Sequence, residues 1–495
     1  KLIGQSRDAS ILKYTGSSGG AILSLNNTTN VEVAHLTIDA NNSASPSAGI
    51  WGEPGGGHYI HHNRIKDLAK SDGFAPFGIL MSASSNVVIT DNEFSNIGVN
   101  SMWGGAIRVG WGSDAPVIER NTIADTGRGG IFVNDGVDGA IVRNNVITGS
   151  GHHSEGLGIE LHTDVNHSLV EDNQVDHWLS VVRSEYNAIR RNTIHTTANT
   201  VKGIGLEIMS NHSVTSDNLV DGGQQVGMQQ SPGTGYQLWN YNTIRNIVMW
   251  GMQLQGEGTG EIEQFQYFYK NTIEDGPIGH PAAAYPGYDG NAIRIHGNTR
   301  NIVFDGNIVR NNGRKAIEIT GAAGTDRISF INNTITGNGG PSIDQYPSSA
   351  ADLEWSNNTV SGNGTDTQLT SRGFADPKPT ASFLAPLSVQ LGQPVTFTNS
   401  STDNGTIVEN LWDFGEGVPV TTVSPTYTYE KAGTYRITLV VWDDTGRANI
   451  QERSILVYEG PPDTEAPTAP TNLASPSKSN VTVDLSWTAS PDNVG

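Results

Sequence analysis

The sequence predicts an all-β chain: a right-handed parallel β-helix over residues 1–375, followed by β-sandwich modules. Three observations predict it. An Asn-centred pattern recurs twelve times between Asn63 and Asn358. Runs of Ala, Leu, Glu and Lys, which long helices need, are missing, whereas short apolar strands alternate with Gly- and Asn-rich turns among only 16% charged residues and 59 Gly. From about Asp376 the Asn pattern stops and a different spacing of aromatic and Gly residues begins.

Length and composition bound the rest. At 495 residues, two or three domains are expected. With no Cys, a disulfide scaffold and a thiolate metal site are excluded, and the compartment stays open. The chain opens at Lys1 without a signal peptide and has no apolar run of membrane-spanning length. A soluble, trimmed or processed piece with no membrane insertion is therefore expected. A formal charge of −21 argues against nucleic acid as a partner, because phosphate binding needs a basic face. An anionic substrate would need a local basic cleft.

The repeat reads IHHNRI at Asn63, ITDNEF at Asn92, IERNTI at Asn121 and VRNNVI at Asn145. It returns at Asn173, Asn192, Asn218, Asn242, Asn271, Asn307, Asn333 and Asn358. Spacings of 19 to 36 residues suit one β-helix coil per copy, roughly 13 coils in all. Leucine-rich repeats would carry several Leu per copy, and propeller blades would be longer. Placed at the same bend of each coil, these Asn amides can hydrogen-bond along the stack, which makes them structural. A degenerate copy, VAHLTI, puts Leu36 where Asn would stand.

About 13 residues before each Asn runs a second regular strand: GILMS, AIRVG, GIFVN, GIELH, then GLEIM, GMQQS, GMQLQ, AIRIH and AIEIT. Alternation sends Ile79, Ile107, Ile131, Ile159, Met228, Met252, Ile293 and Ile317 inward. The outward column is then Leu80, Arg108, Phe132, Glu160, Ser180, Glu207, Gln229, Gln253, Arg294, Glu318 and Asp344, with Gly205 as an alternative to Glu207. A plain solvated face favours Thr, Ser and Asn. Both signs of charge gathered with Gln and His point to a ligand groove.

The C-terminal segments carry resemblances. PTASF, QPVTFTNSS, NLWDFGEG and PTYTYEKAGTYRITLVVWDDTG, over residues 376–459, closely resemble a PKD module, an Ig-like seven-stranded β-sandwich. That resemblance implies a possible Ca2+ site using Asp413 and Asp443, although Leu411 stands where another acid often lies. A Pro-rich linker at 460–467 leads to residues 468–495, which look like the start of a fibronectin type III module with Trp487 on an early core strand. A sandwich with its own core should be dispensable, so a chain ending near residue 375 is expected to fold and act alone. A β-helix joined to such modules resembles secreted bacterial carbohydrate-active enzymes, of polysaccharide lyase or glycoside hydrolase type.

Familiar catalytic signatures of β-helical polygalacturonases and pectate lyases are missing. VVRSEYNAIRRNTI faintly resembles the catalytic coil of the chondroitinase B and alginate lyase family, with Arg183 where that family has Lys. The densest polar constellation lies in HHSEGLGIELH and the coils after it: His152, His153, Glu155, Glu160 and His162, then Arg183, Glu185 and Tyr186, then Lys202 and Glu207. Trp51, Trp103, Trp111, Trp178, Trp239 and Trp250 are expected in turns beside this face, where indoles can stack on sugars.

Three functions compete. A glycoside hydrolase, slightly favoured, would use Glu160 as proton donor and Glu207 as its partner, without a cofactor. Arg108, Trp103, Glu185, Gln229, Gln253, Arg294 and His296 would hold the polysaccharide. A polysaccharide lyase acting on a uronic-acid polymer would draw its charge neutraliser and base from Arg108, Arg183, Arg294, His162 and Tyr186. A non-enzymatic adhesin or surface stalk would need neither, but should have a more monotonous polar face.

Overall fold

The architecture was analysed in a computed structural model that describes residues 1–153, 156–196, 202–230, 235–255, 262–281, 283–285, 287–320, 326–345, 352–460, 468–479 and 481–488. Three parallel sheets of 14, 14 and 13 strands run the length of a right-handed solenoid, and each coil but the last contributes one described strand to each sheet. The first sheet precedes the repeating Asn, the second follows it, and the third carries the polar column.

The Asn repeat forms one continuous internal ladder. The amide Nδ2 of Asn92 donates to Oδ1 of Asn121 at 3.1 Å, Asn121 to Asn145 at 3.0 Å, and Asn145 to Asn173 at 3.0 Å. The same pairing continues to Asn333, which donates to Asn358 at 3.0 Å. The residue before each Asn sits in the left-handed region, as at Asp91 (φ 56°) and Arg120 (φ 52°), and turns the chain sharply into the second sheet. Leu36 caps the ladder: its backbone N–H donates to Asn63 Oδ1 at 3.1 Å, but it has no amide to pass the chain onward. Because Asn121 is buried and its oxygen serves Asn92, Asn121→Leu should cost on the order of 1–3 kcal/mol, measurable as a lower urea midpoint. A second ladder, Asn312 to Asn338 to Asn363, runs beside the last coils at 2.9 and 2.8 Å.

Inward residues of the third sheet are buried as alternation requires: Ile79, Ile107, Ile131, Ile159, Met228, Met252, Ile293 and Ile317 are at most 2% exposed. The Gly before several of them serves the corner. A Cβ on Gly130 would lie 2.8 Å from the Gly158 carbonyl oxygen and 2.9 Å from the Ile147 side chain. The first sheet fills its interior differently from the expected Ile, Val and Leu stack. Trp239, Phe268, Phe304, Phe330 and Trp355 form an internal aromatic column with ring centroids 4.8–5.6 Å apart. Trp239 is therefore a core residue in mid-strand, not a turn residue; the alternation in QLWN carries that information.

Residues 376–460 form a separate set of short antiparallel and mixed sheets around Phe383, Phe397, Trp412, Phe414, Ile437 and Leu439. This module also shares a core with the solenoid. Outward residues of the first sheet, Val214, Leu238, Tyr267, Val303 and Ile331, pack against Leu411, Val440, Trp442 and Ala448. Arg190 and Asp413, 1% and 3% exposed, form an ion pair of 2.5 Å across the junction. Arg436 pairs with Asp217 at 2.5 Å, and Arg447 with Glu354 at 2.7 Å. The solenoid thus presents an apolar stripe that this module covers, which runs against the expectation of a dispensable module.

Residue 460 is described, and the rest of the expected 460–467 linker lies outside the described residues. Thr471–Lys478 and Val483–Thr488 then form an antiparallel pair. Trp487 is 59% exposed on this pair rather than in a core, because among the described residues no second sheet lies over it.

Candidate functional site

Strand pairing confirms the outward column rung by rung: Leu80, Arg108, Phe132, Glu160, Ser180, Glu207, Gln229, Gln253, Arg294, Glu318 and Asp344 stand in register. Glu207, not Gly205, takes the sixth place. Ser180 separates Glu160 from Glu207, so the two backbones lie about 10 Å apart at the usual strand spacing.

These two carboxyls share a cavity of about 370 Å³ with Arg128, His162, Trp178 and Ser180. Glu160, 8% exposed, accepts from Asn134 Nδ2 at 3.1 Å and from Arg128 Nη2 at 3.4 Å. The Arg128 guanidinium lies over the Trp103 ring at 4.9 Å, so Trp103 acts behind Arg128 rather than lining the cavity. Glu207 accepts from the Ser180 hydroxyl at 2.8 Å and from the Trp178 indole N–H at 3.2 Å. Burial pushes the Glu207 carboxyl up; the bonds from Ser180 and Trp178 oppose that, the negative charge of Glu160 reinforces it, and His162 opposes it weakly. The net direction is upward. His162 projects from the same strand two residues after Glu160, with Nδ1 2.6 Å from Thr163 Oγ1.

Arg128 and Asn134 were not singled out from sequence. Asn134 was findable, because it follows Phe132 by two and so faces the same way, one rung from His162. Arg128 sits in the Gly-rich corner before that strand, where periodicity assigns no direction.

Other sequence candidates fall elsewhere. Arg183 occupies a left-handed bulge (φ 53°) past the end of the column and is exposed. Glu185 is exposed beside it. Tyr186 belongs to a turn-edge stack, His167, Tyr186, His212, Tyr236 and Phe265, with centroids 4.6–5.3 Å apart, in which Tyr236 meets Trp442 of the C-terminal module edge-on. The structure does not bring these three to the Glu160–Glu207 cavity, because the bulge carries the chain around the corner. His152 is exposed and 3.2 Å from Asp125. Glu155 and the Lys202 side chain lie outside the described residues. Gln229 continues the column beyond Glu207, while Gln253 and Arg294 line a second cavity of about 560 Å³ with Trp250, Tyr285 and Tyr288. His296, exposed, is 3.0 Å from Thr320 Oγ1.

The two Asp expected to share a Ca2+ ion are apart. Asp413 pairs with Thr438 and Asp443 with Ile407, at opposite ends of one ladder, some five residues or roughly 17 Å from each other. Asp413 is also committed to Arg190, and Asp443 Oδ1 to the Thr445 hydroxyl and the Arg447 N–H. That pair does not fit one ion. Among the described residues no group of three or more His, Cys, Asp or Glu is arranged to hold a metal.

Fold and site together define a modular β-solenoid protein with one chemically varied face. Residues 78–248 match the family model described as right handed beta helix region, and residues 376–457 match that of the PKD domain. The chain therefore carries a PKD domain behind a right-handed β-helix. The pre-pro-metalloprotease PrtV of Vibrio cholerae is 45% identical over 67 residues, 13% of this chain and 7% of PrtV. Chitinase A1 of Niallia circulans is 39% identical over 103 residues, 20% of this chain and 15% of the chitinase. This chain thus spans only a small part of either relative. Among solved structures, the periplasmic alginate epimerase AlgG aligns over 70% of this chain and 76% of its own at 13% identity, with a TM-score of 0.44. No described helix is long and apolar enough to cross a membrane.

Proposed function

We propose that this protein is an extracellular polysaccharide-cleaving enzyme that hydrolyses glycosidic bonds on the third sheet of its β-helix. One observation carries the reading: two carboxyls stand two rungs apart on one outward column and share one cavity. Glu160 is held by Arg128 and Asn134, whereas burial pushes the Glu207 carboxyl up and favours its protonated form. A carboxyl raised in this way can serve as the acid of such a pair.

The roles follow, in the reverse of the order expected from sequence. Glu207 donates its proton to the leaving glycosidic oxygen. Glu160 takes a proton from water as that water attacks the anomeric carbon from the opposite face. A backbone separation of about 10 Å leaves side chains room to approach the roughly 6.5–9.5 Å of an inverting pair. Ser180 and Trp178 hold Glu207 in place, and His162 borders the water site.

The reading is tested by incubating the full chain with a panel of soluble polysaccharides and following reducing ends together with ultraviolet absorbance. Reducing ends without an absorbing product are expected. An unsaturated, absorbing product would replace hydrolysis with β-elimination, and Arg128 and His162 would then be the first residues to substitute. If no polysaccharide in the panel is cleaved, the enzyme reading gives way to an adhesin or stalk.

A separate expectation concerns pH and stability. Glu207 has a folded-state pKa above its unfolded one, so the folded protein holds the extra proton between the two values. Stability therefore declines as pH rises through the folded pKa. Glu207→Gln removes that dependence, so the variant should melt close to the parent in acid and above it at neutral pH.

A further inference from the structure

The carboxyl pair is flanked on both sides by cups of one design. On the N-terminal side, Trp51, Phe74, Leu80 and Trp111 line a cavity of about 420 Å³. Phe74 and Trp111 are 43% and 41% exposed. The Arg108 guanidinium lies 4.5 Å from one ring centroid and 4.8 Å from the other, itself 6% exposed and tied to Asp135 at 3.2 Å. On the C-terminal side, Trp250, Tyr285 and Tyr288 line the 560 Å³ cavity, with the tyrosines 62% and 39% exposed. Here Arg294 lies 4.6 Å from the Trp250 ring and 5.5 Å from that of Tyr288, with Glu318 at 3.8 Å. Each cup also holds an indole N–H, of Trp51 and of Trp250, that is buried without a protein partner.

Large aromatic side chains left in water lose favourable burial, and an orphaned donor adds to that cost. Both are relieved by a ligand with a flat apolar face and hydroxyl acceptors at its rim, which is the chemistry of a sugar ring. The charges narrow the class further. Arg108, Arg128 and Arg294 are each matched by a carboxylate of the protein itself, so none of these three cations is left over for an anionic chain.

We infer that the two cups bind sugar rings of one neutral polysaccharide lying along the solenoid axis across Glu160 and Glu207. Arg108 stands two rungs before Glu160 and Arg294 three rungs after Glu207, seven rungs in all, or about 34 Å. A chain held at both ends is cut between them, so the first products are oligosaccharides of intermediate length. The cut rests on the hydrolase reading; the binding does not.

Affinity electrophoresis of the full chain tests binding, in native gels containing soluble starch, dextran, mixed-linkage β-glucan, xylan or alginate. At least one neutral polysaccharide should retard the chain, and alginate should not. On that polysaccharide, Trp111→Ala and Tyr288→Ala should each weaken retardation about tenfold or more, with circular dichroism spectra like the parent's. Phe74→Ala and Tyr285→Ala, both more exposed, replace them if either fails to fold. Glu207→Gln should be retarded like the parent. Retardation by alginate alone, by none of the gels, or unaffected by substitutions in either cup overturns the proposal. If the cup variants lose retardation while Glu207→Gln keeps full turnover, the cups stand and the carboxyl mechanism falls.

Discussion

A chain ending at residue 375 should be poorly soluble and should melt well below the full protein, even though its Asn ladder is intact. Removing the PKD domain uncovers Val214, Leu238, Tyr267, Val303 and Ile331, all at most 6% exposed in the full chain. At about 1.5–3 kcal/mol for each large apolar side chain, several kcal/mol of burial is lost together. The same cut removes Asp413, the ionic partner of Arg190 among the described residues. The charge can be tested without truncation. Asp413→Ala should cost about 3–5 kcal/mol, because an uncompensated buried guanidinium remains. Combining Asp413→Leu with Arg190→Met should recover much of that loss, since apolar replacement of both partners is often neutral. Denaturant midpoints for the three chains decide the matter. Equal midpoints for Asp413→Ala and the parent would mean that the junction is loose in solution and the module a mere spacer.

What could be read from sequence follows periodicity, and what could not follows its absence. The coil repeat, the Asn ladder and every rung of the polar column depend on alternation within a strand and on equal placement between coils, both of which are one-dimensional facts. Turn positions obey neither rule. Tyr186 and Arg183 are close to the column in sequence, but a left-handed bulge takes them around the corner. Arg128 is reached from the opposite corner, through a Gly-rich turn whose direction the sequence does not specify. The apolar stripe beneath the PKD domain was visible as Val214, Leu238 and Tyr267 at outward positions of successive strands. It reads as ordinary β-propensity until the covering residues, more than 100 positions later, are placed upon it. Likewise the sequence points to Glu160 as proton donor on position alone, whereas in the structure it is the Glu207 carboxyl that burial pushes up.

Glu207→Gln should therefore lower turnover by about 100-fold or more while leaving folding intact, because the amide keeps the shape and can still accept from Ser180 and Trp178. The loss should fall on kcat rather than KM, since the proton is needed only as the glycosidic bond breaks. In the parent, kcat/KM should fall as pH rises through the Glu207 pKa, which burial holds above its ordinary value. Ser180→Ala makes that limb diagnostic. The Ser180 hydroxyl stabilises the ionised carboxylate, so its removal should move the limb to higher pH and cost far less activity than Glu207→Gln. Glu160→Gln should match Glu207→Gln in magnitude, because neither half of an acid–base pair works alone. Trp178→Phe, which deletes the second donor, should shift the limb in the same direction as Ser180→Ala. A limb unmoved by both Ser180→Ala and Trp178→Phe would show that some other group donates the proton. In that case near-normal turnover in Glu207→Gln should accompany it, and the search would pass to the His162 imidazole of the same cavity.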